Sequence, residues 1–126
     1  AAGMYVAWLY NDGTHRWSKS IAGGGCTPVA IRAADQTPGG VGLYLVADCS
    51  ASLDLGGGLL PPGRIAAKFD GATGAVVWSR PLPSFSDPHL LAGFGAVLVG
   101  RATSALDFGT GAELSAPGVF LTRLIP

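Results

Sequence analysis

The chain repeats itself, and this limits the folds open to it more than any other feature. Set against each other, "YVAWLYNDGTHRWSKS" at 5–20 and "IAAKFDGATGAVVWSRP" at 65–81 agree along their length. Tyr5 to Leu9 fall on Ile65 to Phe69 at a shift of 60, and one extra residue in the second turn brings Trp17-Ser18-Lys19 onto Trp78-Ser79-Arg80 at a shift of 61. A second pair, "SLDLGGGLLPPGRIAAKF" at 52–69 and "ALDFGTGAELSAPGVFLTRL" at 105–124, matches Asp54 with Asp107 and Ile65 with Phe120. "FLTRL" is therefore a third copy of "YVAWL" and "IAAKF". A unit of 55–60 residues recurs: repeat 1 over about 5–60, repeat 2 over about 65–115 and a truncated third over 116–126. A repeated unit buries its apolar face against its neighbours rather than within itself.

Each unit reads as four strands. In the first, Tyr5–Tyr10 is joined to Arg16–Ile21 by "NDG", whose residues tolerate positive φ and so favour a tight hairpin. Pro28–Ala34 and Leu43–Asp48 follow, turned by "DQTPGG". In the second, the strands are Ile65–Phe69, Val76–Arg80, His89–Ala92 and Ala96–Arg101, and Phe120–Ile125 makes a ninth. The 20 glycines and 9 prolines interrupt every window long enough for a helix. Period-2 alternation puts Tyr5/Ala7/Leu9, Ile65/Ala67/Phe69 and Phe120/Thr122/Leu124 on a core face, with Lys68 and Arg123 facing outward. "PVAIRA" and "LYLVA" are apolar at nearly every position, the profile of strands covered on both faces. The expected fold is all-β: a β-propeller-like repeat of four-stranded antiparallel blades, about two blades plus one extra strand.

The segments "DLGGGLLPPGRIAAKFDGATGAVVWSRP" and "DFGTGAELSAPGVFLTRL" resemble the bacterial SBBP-type β-propeller repeats, most closely those of large secreted or surface proteins of myxobacteria-like bacteria. The resemblance runs from Tyr5 to Leu124. It departs from the family pattern at "DQTPGG" and "GFG", where the family has an Asp-x-x-Gly-Asn turn, and at Trp8, where the family has a basic residue. It implies a secreted or cell-surface location and a scaffold or binding role, and it supplies no catalytic residues. A propeller needs at least four blades. Nine strands then point to a piece of a longer propeller, to a subunit completed by other copies, or to another all-β closure such as a sandwich. In the first two, the edges at Tyr5–Tyr10 and Phe120–Ile125 must meet further strands.

Cys26 and Cys49 lie at mirror positions about Thr37–Pro38, eleven residues to either side. Antiparallel pairing then brings them face to face, and a disulfide is expected; two small buried thiols are the alternative. Ala102 stands where Cys49 does in the first unit, so the fold itself does not require the bridge.

No catalytic constellation is expected, and the chain is read as a non-enzyme without cofactor or metal. His15, with Asp12 and Ser18 nearby, is assigned to turn and strand, and His89 has no ligand spacing around it. Asp54 and Asp107 precede glycine runs and are read as caps of those turns; calcium nonapeptides place their glycines before the Asp, the reverse order. "LGGGLLPPG" lacks the Lys-Ser/Thr and the helix of a phosphate loop. Trp17 and Trp78 are expected to pack between blades. Trp8, Tyr10, Phe120 and Leu124 are the candidate contact surface. The 8 basic and 8 acidic residues are scattered singly, which speaks against a nucleic-acid partner, and the longest apolar run is too short and glycine-broken for membrane insertion. The leading partner is another copy or further blades. A glycan held in a repeated Trp–Asp pocket, as in a lectin, and a self-assembling surface filament are the alternatives.

Overall fold

The computed structural model describes residues 3–36, 40–93, 95–108, 113–114 and 118–124, and among them are thirteen strands and no helix. Nine are the expected ones: β1 (Met4–Leu9), β2 (His15–Ile21), β3 (Cys26–Gln36), β4 (Gly40–Cys49), β7 (Gly63–Asp70), β8 (Val76–Pro81), β9 (Ser86–Gly93), β10 (Gly95–Ala102) and β13 (Gly118–Leu124). Parts of the "DQTPGG" and "GFG" turns, and Ile125, lie outside the described residues. The other four are two-residue strands in the glycine-rich connections. β5 (Leu53–Asp54) pairs with β6 (Leu59–Leu60), and β11 (Leu106–Asp107) with β12 (Glu113–Leu114). Runs this short carry no periodicity, so alternation does not reveal them.

The repeat holds at the level of hydrogen-bond register. β4 meets β7 from Leu43↔Phe69 to Cys49↔Gly63, and β10 meets β13 over the equivalent residues, from Ala96↔Leu124 to Ala102↔Gly118. The outer hairpins share an irregularity too. Register shifts between Trp8 and Leu9 in β1–β2, and at the matching Lys68 and Phe69 in β7–β8. A second pair of bulges falls at a proline in each unit, where a strand residue without an N–H is tolerated: at Pro28 in β3, and beside Pro88 in β9, where Asp87 takes a φ of 52°.

The sheets do not coincide with the sequence units. The full four-stranded sheet runs β3-β4-β7-β8, taking two strands from each of two successive units. Before it stands the pair β1-β2, and after it the three-stranded β13-β10-β9. The expected two blades plus one strand is thus replaced by sheets of two, four and three strands. β13 is not a strand left over: β10 pairs along its whole length, and only its other edge bears no strand among the described residues.

Two cores hold the three sheets in a stack. On one side of the central sheet, Leu43, Leu45 and Ala47 of β4 and Ile65, Ala67 and Phe69 of β7 pack with Met4, Val6, Trp17 and Ile21 of the first sheet. On its other side, Tyr44, Val46 and Ala66 pack with Ala96 and Leu98 of β10 and Phe120 and Leu124 of β13. Alternate residues of β4 and β7 thus serve opposite cores, as expected for strands covered on both faces.

Three expectations about faces need correction. In β1 the core face is Met4/Val6, both 3% exposed, whereas Tyr5 is 67% exposed and Leu9 52%. The side equivalent to Ile65/Ala67/Phe69 is there, but no described residue covers it. Lys68 is buried rather than outward-facing: the third sheet covers that side of β7, and its ammonium lies 5.7 Å from the centre of the Tyr44 ring. Burial pushes the Lys68 ammonium below its ordinary pKa, with Asp70 opposing. β3, finally, is an edge strand, so Ile31 stays half exposed although its segment is apolar at nearly every position.

Candidate functional site

The expected disulfide is formed. Cys26 and Cys49 are cross-strand partners at the open end of the β3–β4 hairpin, bonded at an S–S distance of 2.06 Å. The capping reading of Asp54 also holds, since its Oδ1 accepts from the amides of Gly56 (2.7 Å) and Gly58 (3.3 Å). Asp107, the matching residue, is exposed at the start of the second glycine-rich connection.

The histidines assemble no reactive group. His15 and His89 are exposed on β2 and β9. The Asp12 carboxylate is engaged by Thr14, accepting from its hydroxyl at 2.7 Å and its amide at 2.9 Å, and these bonds hold it below its ordinary pKa. Among the described residues no group of three His, Cys, Asp or Glu side chains is placed to hold a metal ion.

The candidate contact residues separate. Trp8 is half-buried on the core side of β1, its ring 6.2 Å from that of its cross-strand partner Trp17, and so is not the outward-facing residue expected from the repeat. Tyr10 is 53% exposed, and the Arg16 guanidinium lies 5.5 Å from both the Trp8 and the Tyr10 rings. Phe120 and Leu124 are core residues, 6% and 4% exposed; their strand neighbours Val119 (70%) and Leu121 (66%) form the exposed side.

The two Trp-Ser-basic copies make a site that the repeat itself lets us compare in detail. In the first, Trp17 and Lys19 on β2 reach across to the turn between β7 and β8. The turn is tight because Asp70 Oδ1 accepts from the amides of Ala72 and Thr73 and from the Thr73 hydroxyl. Trp17 Nε1 donates to the Gly71 carbonyl at 2.9 Å, and Lys19 Nζ to the Gly74 carbonyl at 3.3 Å. Gly74 has φ 76°, and a Cβ there would sit 2.7 Å from Trp17 Cε3, so both backbone and space demand glycine.

In the second copy, Trp78 Nε1 and one Arg80 Nη are buried with no hydrogen-bond partner among the described residues. The Arg80 guanidinium stacks on Trp78, 4.4 Å from the ring centre, and burial pushes it below its ordinary pKa. These side chains line a cleft of about 640 Å³ together with Ser79, Leu82, Asp107 and Phe108. An unpaired buried donor costs about 1–3 kcal/mol, so an acceptor placed in this cleft would be stabilising. The sequence carries one signal for Arg80, its repeat match with Lys19. Comparisons with protein-family models, with curated proteins and with solved structures find no match for this chain.

Proposed function

We propose that this chain is a non-catalytic all-β scaffold module, propeller-like in its stacking, that assembles with further sheets of the same kind. The observation that supports the reading best is the complementarity of its two end faces. The first sheet ends in Tyr5, Ala7 and Leu9, the counterparts of Ile65, Ala67 and Phe69, which are all fully buried against the sheet before them. The third ends in Val119 and Leu121, matching Arg64 and Ala66 of β7, the side on which the next sheet packs. Each end therefore exposes one half of an interface that the molecule makes internally. Such head-to-tail surfaces add units until a ring closes, or build an open filament if none does. Apolar patches of this kind mark contact surfaces.

The Cys26–Cys49 bridge supports an oxidising compartment, consistent with a secreted or cell-surface bacterial protein. The resemblance to SBBP-type repeats supports the same location and the propeller stacking. A lectin-like reading asks for a Trp–Asp pocket in both units. Trp78 and Asp107 line such a cleft, but Trp17 is 7% exposed beneath the Gly71–Gly74 turn, so the first unit gives that reading no support. Light scattering across a concentration series tests the assembly. The mean mass should rise with concentration, and a monomer at every concentration would refute it.

A further inference from the structure

We propose that the tip of the first hairpin binds an acidic sugar, a hexuronate residue of a polysaccharide, with its carboxylate on Arg16 and its ring against Tyr10 and Trp8. This site belongs to the first unit alone. It is separate from the cleft beside Trp78, and it does not depend on assembly through the end faces.

The two outer hairpins share one backbone and differ in what they mount on it. Tyr10 N–H donates to the Thr14 carbonyl and Gly13 N–H to that of Tyr10; Asp70 N–H to Ala75 and Gly74 N–H to Asp70 repeat both bonds. The bulge leaves one residue of the second strand without a cross-strand partner, Arg16 in β2 and Val77 in β8. A bulge re-aims the side chain it carries. Trp8 stands where the later units have Lys68 and Arg123, Tyr10 where the second has Asp70, and Arg16 where it has Val77. The same backbone forms without these three side chains in the second unit. In the first they converge, with the Arg16 guanidinium 5.5 Å from the centres of both rings. Together with Asn11, Asp12 and Thr14 they line a cleft of about 560 Å³, a size typical of small-ligand sites.

Stacking of sheets does not close this place. On the central sheet, where the first sheet is already packed, Val77 is still 51% exposed, and Ala72 and Thr73 of the turn are exposed too. A sheet lying in the same way on β1 and β2 would leave Arg16 and its turn equally open.

The charges in the cleft select the ligand. Arg16 forms no ion pair with a carboxylate among the described residues. A guanidinium held on aromatic faces keeps its N–H fork along its edge, where a carboxylate accepts two parallel bonds. Asp12 bonds Thr14 rather than Arg16, and it stays ionised. It therefore repels a compact polyanion such as phosphate, while its carboxylate retains capacity to accept from hydroxyls. A sugar acid meets both demands, since it carries one carboxylate among several hydroxyls. Its apolar C–H face suits the Tyr10 ring, which is 53% exposed. A neutral sugar would leave Arg16 without a counter-charge, and a simple carboxylate would leave the rings and Asp12 unused.

The test is titration of the ¹⁵N-labelled full chain with trimers of galacturonate and of glucuronate, following the indole Nε1–H resonances. Trimers of galactose and glucose, and acetate at equal carboxylate concentration, are the controls. The Trp8 resonance should move saturably with at least one of the uronates, and the Trp78 resonance should stay in place. Arg16→Gln should weaken binding about ten- to hundredfold, the range for a lost charge-assisted pair of bonds. Arg16→Lys keeps the charge without the fork and should stay clearly weaker than the parent chain. Tyr10→Ala should cost about two- to tenfold. Both positions hold other residues in the second unit, so the variants should fold, which their amide spectra check. A Trp8 resonance unmoved by both uronates would overturn the proposal. So would an equal response to the neutral trimers or to acetate, or undiminished binding by Arg16→Gln or Arg16→Lys.

Discussion

Trp17 Nε1 donates to the carbonyl of Gly71, 54 residues away in the chain, and this bond fastens the first sheet to a turn of the central one. Its repeat counterpart, Trp78 Nε1, has no acceptor among the described residues. The same substitution at the two positions therefore separates packing from hydrogen bonding. Trp17→Phe should lower unfolding stability by about 1–3 kcal/mol, from the lost bond, the carbonyl left unpaired and the smaller ring. Trp78→Phe removes a donor that was already unsatisfied and should cost clearly less. Urea denaturation of both variants provides the comparison, and equal losses would mean that the Gly71 bond contributes nothing.

The Cys26–Cys49 bridge closes a loop spanning 23 residues of sequence separation. Replacing both cysteines with alanine should cost roughly 2–4 kcal/mol. The fold should survive, because Ala102 occupies the matching place in the second unit and keeps the same register against Gly118. Intact mass after alkylation without reductant checks the bridge itself: no thiol should react.

Acid should weaken the molecule through three carboxylates. Arg64 donates to Asp48 at 2.7 and 2.9 Å. Asp12 is held by the Thr14 hydroxyl and amide, and Asp70 by the amides of Thr73 and Ala72. All three pKa values lie below the ordinary 3.8 in the folded chain. The stability they add is complete above that ordinary value, and it is lost as pH falls through the depressed folded values. Urea midpoints should hold from neutrality to about pH 5 and then fall as the carboxylates protonate. Asp48→Asn should flatten part of that fall.

The end faces make a prediction about mixtures. Tyr5→Lys should block one end of the stack and Leu121→Lys the other, so each variant alone should stay monomeric. Mixed in equal amounts, each lends the other its intact end, and the product should stop at a one-to-one pair. Sedimentation of the mixture measures this. A mixture that stays monomeric would mean that these faces do not join head to tail, and growth beyond the pair would mean that lysine does not block them.

The sequence located the strands well and the covered faces poorly, for a physical reason. Alternation tells which residues share a side of a strand, so Tyr5, Ala7 and Leu9 do lie together. It does not tell which side a neighbouring sheet covers, because that depends on residues far away in the chain. Ile65 and Tyr5 are equivalent in the repeat, yet Ile65 is fully buried and Tyr5 is 67% exposed. Ile31 fails similarly: its apolar segment is legible, but its position at a sheet edge is a property of the topology. The cysteine pair was readable because mirror spacing about one turn is local geometry. The Trp17 contact was not, since its acceptor is a backbone carbonyl and carries no residue signature.

The offset between sequence unit and sheet also bears on how such a chain gains or loses length over evolution. The four-stranded sheet takes two strands from one unit and two from the next, and the third sheet joins two strands of the second unit to one of the third, so the boundary between units falls inside a sheet in both. Duplicating one 55–60-residue unit in the gene therefore inserts a whole sheet without leaving a seam, because the new strands find their partners in the copies on either side. Deleting one unit closes up equally cleanly. An insertion of half a unit would instead strand two edges in the interior of the stack. Length variation in whole units is the kind that this interlocked arrangement tolerates.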